Sequence, residues 1–522
     1  MVRLFYFCSL VVFAAVFSVA YFWPPILWTM LILAPLFLMG LTDSLQVRRG
    51  IRRNYPIIGN LRYFFESIRP ELQQYFVESD LSGRPIPREK RSVVYQRAKG
   101  DLQSVPFGSQ IDMDKEGHEW ILHSMNPTHV ELDNLRVTVG GPKCKQPYSA
   151  SILNVSAMSY GSISSAAVEA LNEGAKLGGF YHNTGEGGIS SYHKKGADIV
   201  WQIGTGYFGC RTHDGKFSED LFQQQASLPE VKMVEIKVSQ GAKPGKGGLL
   251  PSAKVTKEIA DIRKVPQGKA VISPAGHSEF NGPDGLVEFI DRLRNLSGGK
   301  PVGIKMCLGK KSEFMDFCKA MVEKQSFPDF ITVDGAEGGT GAAPLEFIDY
   351  MGSTLNDGLA FINDCLVGFG IRQHIKLIAS GKVITGFDIM VKMAIGADLI
   401  NSARGMMLSL GCIHALKCNT NRCPAGIATN DPQLIRGLHV PTKTKRVAKY
   451  HQETITAFSD ILGAMGYTHP KQVMRSDIFR RLATGQSVSF EEIYPSVTPG
   501  QMLDTAAWGA LPKNYQTELK RA

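Results

Sequence analysis

Two long runs of uncharged apolar residues open the chain. The first, Leu4 to Trp23, would span roughly 30 Å as a helix at about 1.5 Å per residue, which matches the hydrocarbon core of a bilayer. After Pro24-Pro25 a second uncharged run extends from Ile26 to Leu41. The pattern predicts a transmembrane helical hairpin over residues 1–45.

The charges beside these runs predict their orientation. Arg3 precedes the first run, and four arginines follow the second, at Arg48, Arg49, Arg52 and Arg53. By the positive-inside rule both ends face the cytoplasm, so we expect a cell-membrane protein with a cytoplasmic catalytic domain. A cleaved signal peptide is the alternative, because Ser18-Val19-Ala20 is a tolerable cleavage context. The second run and the arginines after it argue against cleavage.

The pattern changes twice further along the chain. Residues 46–133 mix aromatic, basic and acidic positions without strand alternation, which predicts a helical and loop collar between membrane and core. From about residue 134, short apolar runs ending in Gly, Ser or Asn alternate with longer helical patterns. The expected strands are Ile152–Val155, Ile199–Ile203, Val234–Val238, Ala270–Ile272, Val302–Met306, Phe330–Val333, Lys376–Ala379 and Leu399–Ile400. The expected helices include Ala166–Leu177, Gly285–Leu296, Glu313–Glu323 and Gly386–Ile395.

Repeated strand-then-helix units predict a parallel sheet covered by helices. The length of this part favours a (β/α)8 TIM barrel over one open mononucleotide-binding fold. We assign the barrel to residues 134–440 and a C-terminal helical region to residues 441–522. Helical patterns continue from Thr442 to Leu482, and the last forty residues have the Pro, Gly and Thr content of a tail.

Composition narrows the function classes. The chain has 522 residues, 43% of them hydrophobic, which is enough for a sizeable core and excludes general disorder. Its 58 Lys and Arg against 48 Asp and Glu give a net charge of +10. The basic residues are spread along the chain without a nucleic-acid-binding motif, so we expect no nucleic-acid partner. Nine cysteines, scattered except for the last three, exclude a small disulfide scaffold.

Glycine-rich polar segments follow several of the predicted strands. They include residues 158–162, 183–188, 240–245, 334–341, 379–381 and 402–405. In TIM barrels the active groups lie at the carboxyl ends of the strands, and the loops after the last two strands commonly bind phosphate. Glycines there let backbone N–H groups approach a ligand. The sequence therefore predicts a phosphorylated cofactor.

Three cysteines lie within one short segment, at Cys412, Cys418 and Cys423. Soft thiolates this close in a cytoplasmic protein favour zinc or an iron–sulfur cluster over a disulfide. A tetrahedral zinc site would need a fourth ligand, for which His414 is the nearest candidate. Three ligands without an obvious fourth favour a three-iron cluster.

Several motifs resemble the FMN-binding synthase domain of glutamate synthases. They are SAMSYGSIS (156–164), NTGEGG (183–188), IKVSQGAKPGKGGLLP (236–251), DGAEGGTGAAP (334–344) and CIHALKCNTNRCPAGIATND (412–431). The similarity covers about residues 134–475 and keeps the order of the motifs. It implies a TIM barrel that binds FMN, a 3Fe-4S cluster on the three cysteines of residues 412–423, and reductive amination of 2-oxoglutarate to glutamate.

The resemblance also implies roles for individual residues. Glu186 matches the family's catalytic-loop glutamate, Lys243 its substrate lysine, and Arg263 its second carboxylate-binding position. Two cations suit a dicarboxylic oxo acid. Lys237 and Lys305 are expected to contact the flavin, and the flavin pyrimidine carbonyl is the expected partner of Lys305. The other expected cofactor-binding residues are Met158, Ser159, Gln202, Gly338, Gly339, Thr340, Gly381, Ser402 and Gly405.

Departures from the family pattern set further expectations. Leu249 occupies the position of a glutamine that helps to hold the substrate, and leucine can neither donate nor accept a hydrogen bond. The resemblance includes no glutaminase domain. No GxGxxG unit is expected to open a helix directly after a strand, so we expect no NAD(P)H site on this chain. We therefore expect ammonia and electrons from outside the chain, with a ferredoxin or a reductase subunit as donor and a separate glutaminase as a possible partner.

Two other functions remain open on the sequence alone. One is a related flavoenzyme that acts on a different amine or oxo acid, as Leu249 suggests. The other is a membrane-anchored electron-transfer subunit without synthase turnover. The retained Glu186, Lys243 and Arg263 argue against the second.

Overall fold

A computed structural model of the chain describes residues 1–101, 104–132 and 135–522. The chain divides into two compact units, residues 1–83 and residues 84–522. The division falls inside the predicted collar of residues 46–133. The predicted boundary between residues 133 and 134 lies outside the described residues.

The first unit is helical. Its α-helices are α1 (Val2–Phe22), α2 (Met30–Leu45), α3 (Gly50–Asn54) and α4 (Gly59–Leu72). A 3-10 helix (Pro24–Thr29) joins α1 to α2, and a π-helical segment (Gln73–Val77) follows α4. The segments Val2–Phe22 and Pro24–Leu45 are both long and apolar enough to cross a membrane, a test of length and composition that a signal sequence also passes. The two helices of the predicted hairpin are thus present.

The second unit contains the remaining elements. Its α-helices are α5 (Arg88–Lys99), α6 (Ser165–Gly178), α7 (Glu219–Ala226), α8 (Lys257–Arg263), α9 (Gly282–Leu296), α10 (Lys311–Lys324), α11 (Leu345–Tyr350), α12 (Leu355–Gly368), α13 (Gly386–Ile395), α14 (Arg404–Ser409), α15 (Pro432–Ile435), α16 (Val440–Ala464), α17 (Phe490–Ile493) and α18 (Lys513–Leu519). Its strands are β1 (Glu119–Ile121), β2 (Arg136–Val139), β3 (Tyr148–Ser151), β4 (Leu153–Val155), β5 (His182–Asn183), β6 (Ile199–Ile203), β7 (Val231–Lys237), β8 (Leu249–Leu250), β9 (Val271–Ile272), β10 (Val302–Met306), β11 (Phe330–Asp334), β12 (Lys376–Ser380), β13 (Leu399–Ser402), β14 (Ile478–Ala483) and β15 (Gln486–Ser489).

Eight parallel strands form a closed barrel. In chain order they are β4, β5, β6, β7, β10, β11, β12 and β13, and pairing of β13 with β4 closes the ring. Their side chains are almost all buried because helices cover the outside, which explains the continuous apolar runs in the sequence. The predicted TIM barrel is confirmed.

One predicted barrel strand is wrong and one was missed. Ala270–Ile272 corresponds to β9, which pairs antiparallel with β8 outside the barrel. The position in the barrel belongs instead to β5, only two residues long and set in the polar segment His182-Asn183-Thr184. A strand this short shows no hydrophobic periodicity, so the sequence pattern does not predict it.

The C-terminal region is helical as predicted, but it also contains a β-hairpin and its last residues are packed. Helix α16 ends at Ala464, and β14 and β15 then form a hairpin that pairs with β1. The last residues are packed, because Tyr515 and Leu519 are buried and the Tyr515 hydroxyl donates to Asp364 over 2.8 Å. The expectation of a tail over the last forty residues is therefore wrong.

Candidate active site

A cavity of about 1290 Å³ lies at the carboxyl ends of the barrel strands. Residues that follow β4, β5, β7, β11 and β13 line it, and so does the cysteine segment 412–423. Typical small-molecule pockets measure about 300–1000 Å³, so this one can hold a large ligand together with a second, smaller one. Of the predicted site residues, those from Met158 to Thr340 and the three cysteines line this one cavity.

Glu186 lies among three cations. It follows β5, and its Oε1 accepts a hydrogen bond from Lys237 Nζ at the end of β7 over 2.6 Å. Burial alone would raise the pKa of Glu186, but Lys237, Lys243 and Arg263 together outweigh burial and lower it. The carboxylate therefore stays ionised, and the three predicted catalytic residues converge.

Two glycines make room for this carboxylate. A Cβ at Gly204 would approach Glu186 Oε2 to 2.5 Å, and a Cβ at Gly248 would approach Oε1 to 2.6 Å. Both distances are shorter than side-chain atoms tolerate, so any larger residue would displace the carboxylate. The glycines after β6 and before β8 thus serve the position of Glu186.

Lys243 is a buried cation with few anionic contacts. Its Nζ donates to the Ala342 carbonyl over 3.1 Å, and the residue is only 5% exposed. Burial, with repulsion from Lys237, lowers its pKa to about 8, against the opposing pull of Glu186. A ligand carboxylate beside this ammonium would relieve both costs.

Arg263 has an unused donor. Its Nη2 donates to the Tyr160 carbonyl over 2.7 Å, and its guanidinium lies over the Phe208 ring at 5.1 Å. Burial lowers its pKa to about 10, against the pull of Glu186, and the group remains charged at neutral pH. Its Nε is buried and has no hydrogen-bond partner among the described residues. A buried donor in this state favours an anionic ligand.

Lys305 contacts a carboxylate at the end of the neighbouring strand. Its Nζ forms an ion pair with Asp334 Oδ2 at 3.2 Å, and its contact with the flavin pyrimidine carbonyl stays a prediction. Burial would lower the pKa of Lys305, but Asp334 and then Glu235 outweigh it and raise the pKa. Asp334 lies at the end of the neighbouring strand β11, a pairing that spacing along the chain does not reveal. Lys305 still lines the cavity.

Gln202 belongs to a buried polar network that sequence reasoning missed. Its Nε2 donates to Glu235 Oε2 over 2.6 Å, and Asn183 Nδ2 donates to the same oxygen over 2.8 Å. Thr332 Oγ1 donates to the other oxygen of Glu235 over 2.6 Å. Glu235 is fully buried, and its only sequence signal is a charge inside the apolar run of β7. The network fixes the Gln202 side chain in the barrel interior.

A small pocket adjoins the main cavity beyond β12 and β13. Its lining includes Gly338, Gly339, Gly381, Ser402 and Gly405. A Cβ on Gly405 would lie 2.5 Å from Tyr450 Oη and 2.6 Å from Ser402 Oγ, so only glycine fits there.

Two cations that the sequence analysis did not single out, Lys382 and Arg404, line both pockets. Burial lowers the pKa of Lys382, and the neighbouring Arg404 lowers it further. An anion between two such cations would stabilise both.

The three cysteines share one side of the main cavity. Cys423 is buried and Cys412 and Cys418 are half-buried, and all three are free thiols. Burial raises the pKa of Cys412 to about 11, and the other two thiols contribute to the rise, which shows that the three lie close together. The backbone N–H of His414 donates to Cys412 Sγ over 3.5 Å.

The thiol geometry bears on the choice of metal. In the described part of the chain, no three His, Cys, Asp or Glu side chains converge closely enough to hold one metal ion. The Arg91 guanidinium lies 3.2 Å from His414 Nδ1. Zinc with His414 and a cluster on the three cysteines therefore both stay predictions. A cluster spreads its cysteine ligands over several irons, so it accepts thiols set farther apart.

Lys254 is a further residue that sequence reasoning missed. Its Nζ donates to the Ser162 carbonyl in the segment after β4 over 2.8 Å, and it is 2% exposed. Burial lowers the pKa of Lys254 to about 8, although the nearby Cys418 and Cys423 act in the opposite direction and raise it. Asn421, between these two cysteines, donates to the neighbouring Ala253 carbonyl over 3.0 Å. A buried ammonium thus connects the cysteine segment with the segment after β4.

The known proteins that are similar to this chain have related descriptions. The family described as a conserved region in glutamate synthase matches residues 113–468. The glutamate synthase large subunit-like protein YerD of Bacillus subtilis is 38% identical over 493 residues, which are 86% of this chain and 93% of YerD. The archaeal glutamate synthase (NADPH) of Methanocaldococcus jannaschii is 34% identical over 311 residues, 59% of this chain and 58% of that protein.

Among solved structures, a lactate oxidase of Pediococcus acidilactici overlaps 79% of this chain and 93% of its own, with a TM-score of 0.43 and 12% identity. The family match covers well over half of the chain, and YerD is similar over most of both lengths. These two findings support the expected oxidoreductase of the glutamate synthase type. The chain belongs to the glutamate synthase family.

Proposed function

We propose that this chain is an FMN- and 3Fe-4S-dependent glutamate synthase. It catalyses the reductive amination of 2-oxoglutarate to glutamate, with ammonia and electrons supplied from outside the chain. The convergence of Glu186, Lys243 and Arg263 in a cavity that also contains three thiols is the observation that carries the proposal. FMN would supply two-electron reduction there, and the cluster would supply single electrons.

The residues around the cavity fit FMN. The cavity volume accommodates a flavin and an oxo acid together. The phosphate would bind in the small pocket, held by Gly381, Ser402 and Gly405 with Lys382 and Arg404 as counter-charges. Lys237 and Lys305 would face the ring system, where positive charge favours electron uptake. Met158, Ser159, Gln202, Gly338, Gly339 and Thr340 would complete the binding site.

The three thiols fit an iron–sulfur cluster. Cys412, Cys418 and Cys423 are soft ligands, free of disulfides, and close to one another. Burial raises the pKa of Cys412 and Cys418, and iron binding would reverse the rise because the thiolate is the ligand. Lys254 would offset part of the negative charge of the bound cluster.

The charged residues would position the oxo acid and the amine. Arg263 Nε and Lys243 Nζ would each bind a carboxylate of the substrate. Glu186 Oε1 is engaged by Lys237, and Oε2 would accept a hydrogen bond from the attacking ammonia and orient it beside the substrate carbonyl. The Lys237 ammonium keeps Glu186 ionised between turnovers.

The proposal includes partners and a location. An electron donor such as a ferredoxin or a reductase subunit would reduce the cluster, and a separate glutaminase could supply ammonia. The two apolar helices of the first unit would anchor the chain in the cell membrane, with the four arginines that follow them at the cytoplasmic face. The catalytic unit would then lie in the cytoplasm.

The experiment uses full-length protein purified anaerobically in detergent. With reduced methyl viologen as donor, we expect ¹⁵N-glutamate from 2-oxoglutarate and ¹⁵N-ammonium, detected by mass spectrometry. Lys243→Ala should reduce its formation to background. Lys269→Ala, which removes an exposed lysine outside the cavity, should leave it unchanged. Absence of glutamate in the parent, with flavin and cluster both bound, would contradict the proposal.

Leu249 favours one alternative substrate. Leu249 lines the cavity on β8 and offers no hydrogen bond to a ligand. A more apolar oxo acid would then be aminated at the same site, or a substituted amine would replace ammonia as the nitrogen donor. A panel of oxo acids in the same assay separates the two, because only this alternative predicts that another oxo acid outperforms 2-oxoglutarate.

A further inference from the structure

Helix α4 of the first unit has an exposed apolar stripe. Leu61, Phe64, Phe65, Ile68 and Leu72 recur at helical spacing and fall within an arc of about 100°. Phe64 and Phe65 are 55% and 56% exposed, and Leu61 and Leu72 are exposed as well. The π-helical segment after α4 adds exposed Tyr75, Phe76 and Val77. An apolar surface this continuous is rare on a protein that faces only water.

Basic residues flank the apolar stripe. Arg62 and Arg69 lie along one edge of it, while Arg48, Arg49, Arg52 and Arg53 precede the helix. Residues 48–72 contain six arginines and only two acidic residues, Glu66 and Glu71. The guanidinium groups of Arg49 and Arg52 lie over the Tyr63 ring at 4.5 and 4.9 Å. The basic segment is thereby held against α4.

Contacts within the first unit fix α4 to the end of the second apolar helix. Asp43, buried in the last turn of α2, accepts hydrogen bonds from the Ile57 backbone N–H over 3.1 Å and from the Asn60 side chain. Gly59 at the start of α4 packs so closely on α3 that a Cβ would lie 2.9 Å from Arg52 Cα. Helix α4 therefore begins at the level where the apolar part of α2 ends.

We propose that α4 lies in the plane of an anionic phospholipid surface. The apolar stripe would enter the boundary between headgroups and acyl chains, and the flanking arginines would bind anionic headgroups. The positive charge of this surface favours an anionic phospholipid surface over a second copy of the chain, because two such arginine-rich surfaces repel each other. The inference rests on the proposed membrane anchoring by α1 and α2, and adds a separate contact to it.

The test uses full-length holoprotein reconstituted into phosphatidylcholine vesicles with or without phosphatidylglycerol, containing lipids brominated near the headgroup end of the acyl chain. Phe65→Trp places a reporter on the stripe. Leu177→Trp, at a 64% exposed position on α6 of the catalytic unit, is the matched control. Native Trp23 and Trp28 report independently whether the apolar helices insert.

We expect the emission added by Phe65→Trp to be quenched, more strongly with phosphatidylglycerol, and that added by Leu177→Trp to be unchanged. Arg62→Gln with Arg69→Gln should weaken the dependence on phosphatidylglycerol. Quenching of the native tryptophans without quenching of the Phe65→Trp reporter would overturn the surface contact alone. No quenching of either would overturn the anchoring as well. Shielding of the Phe65→Trp reporter in detergent by a dimer would favour a second copy and overturn the proposal.

Discussion

The two sides of the main cavity are organised differently. On one side, the charged groups already contact one another, with Glu186 ion-paired to Lys237 at 2.6 Å and Lys305 to Asp334 at 3.2 Å. On the other side, Cys412, Cys418 and Cys423 lie close together as free thiols with raised pKa values at Cys412 and Cys418. The charged side is preorganised by the protein itself, whereas the thiol side would gain its bonds from a ligand.

This difference indicates a division of labour. The charged side has the groups for binding an oxo acid and handling protons, and it needs no metal to hold its geometry. The thiol side brings three soft metal ligands together, so its role in the proposal is electron supply. Substitutions on one side should then remove one role and leave the other.

Cys423→Ser should abolish the cluster. Serine cannot replace a buried soft thiolate as an iron ligand, so the cluster's visible absorption and its electron paramagnetic resonance signal should disappear. Turnover with a one-electron donor should fall more than about 100-fold. Cys144→Ser, which changes a cysteine outside the cavity, is the control. An unaltered cluster signal in Cys423→Ser would show that Cys423 is not a ligand of the cluster.

Lys243→Ala should lower kcat/KM for the oxo acid about 100-fold while the flavin and cluster stay bound. The loss corresponds to about 3 kcal/mol, the cost of removing one partner of a buried charge–charge contact. Lys243→Arg should recover part of it, because the charge returns with a different shape. Steady-state kinetics measures both variants. Equal kcat/KM in parent and Lys243→Ala would show that this lysine does not bind substrate.

Lys237→Met should destabilise the protein by about 3 kcal/mol, because it leaves the Glu186 carboxylate buried without its closest counter-charge. Glu186→Gln added to Lys237→Met should restore part of the loss, since the double variant buries neither charge of the pair. Urea unfolding of the four proteins in the cycle gives the coupling energy. Strictly additive effects would mean that the ion pair is not energetically coupled.

Oxo acid binding should weaken above about pH 8. The Lys243 pKa is lowered to about 8, so its ammonium loses the proton as pH rises through that value, and KM should rise by at most about tenfold per pH unit. Arg263, with a pKa of about 10, stays charged over most of this range. The KM of Lys243→Arg should stay nearly constant between pH 7 and pH 9 as measured against buffer controls. A flat profile in the parent would contradict the assignment.

The sequence predicted most of the barrel and which loops meet, but not how the charges pair. The resemblance to the family implied that Glu186, Lys243 and Arg263 belong to one site, and all three line the same cavity. Asp334 as the partner of Lys305 depends on the pairing of β10 with β11 and a side-chain geometry that no local pattern encodes. The same holds for Lys254, whose contacts come from residues far away along the chain.

The hydrophobic pattern also failed to predict β5 and the hairpin of β14 and β15. Strand β5 has two residues and no period, and the hairpin of β14 and β15 is stabilised by pairing with β1, more than 350 residues earlier in the chain. In contrast, the strands β10 and β12 have five residues each and are mostly buried, and the sequence placed them within one residue. Prediction succeeded where burial on both faces imposes a continuous apolar run.

Pre-steady-state reoxidation of the flavin tests the division between the two sides most directly. Parent, Cys423→Ser and Lys243→Ala proteins are reduced photochemically without oxygen, which bypasses the cluster, and are mixed with 2-oxoglutarate and ammonium. The account predicts that Cys423→Ser reoxidises nearly as fast as the parent and that Lys243→Ala reoxidises about 100-fold more slowly at subsaturating 2-oxoglutarate. Loss of reoxidation in Cys423→Ser with its flavin still bound, or parental rates in Lys243→Ala, would contradict it.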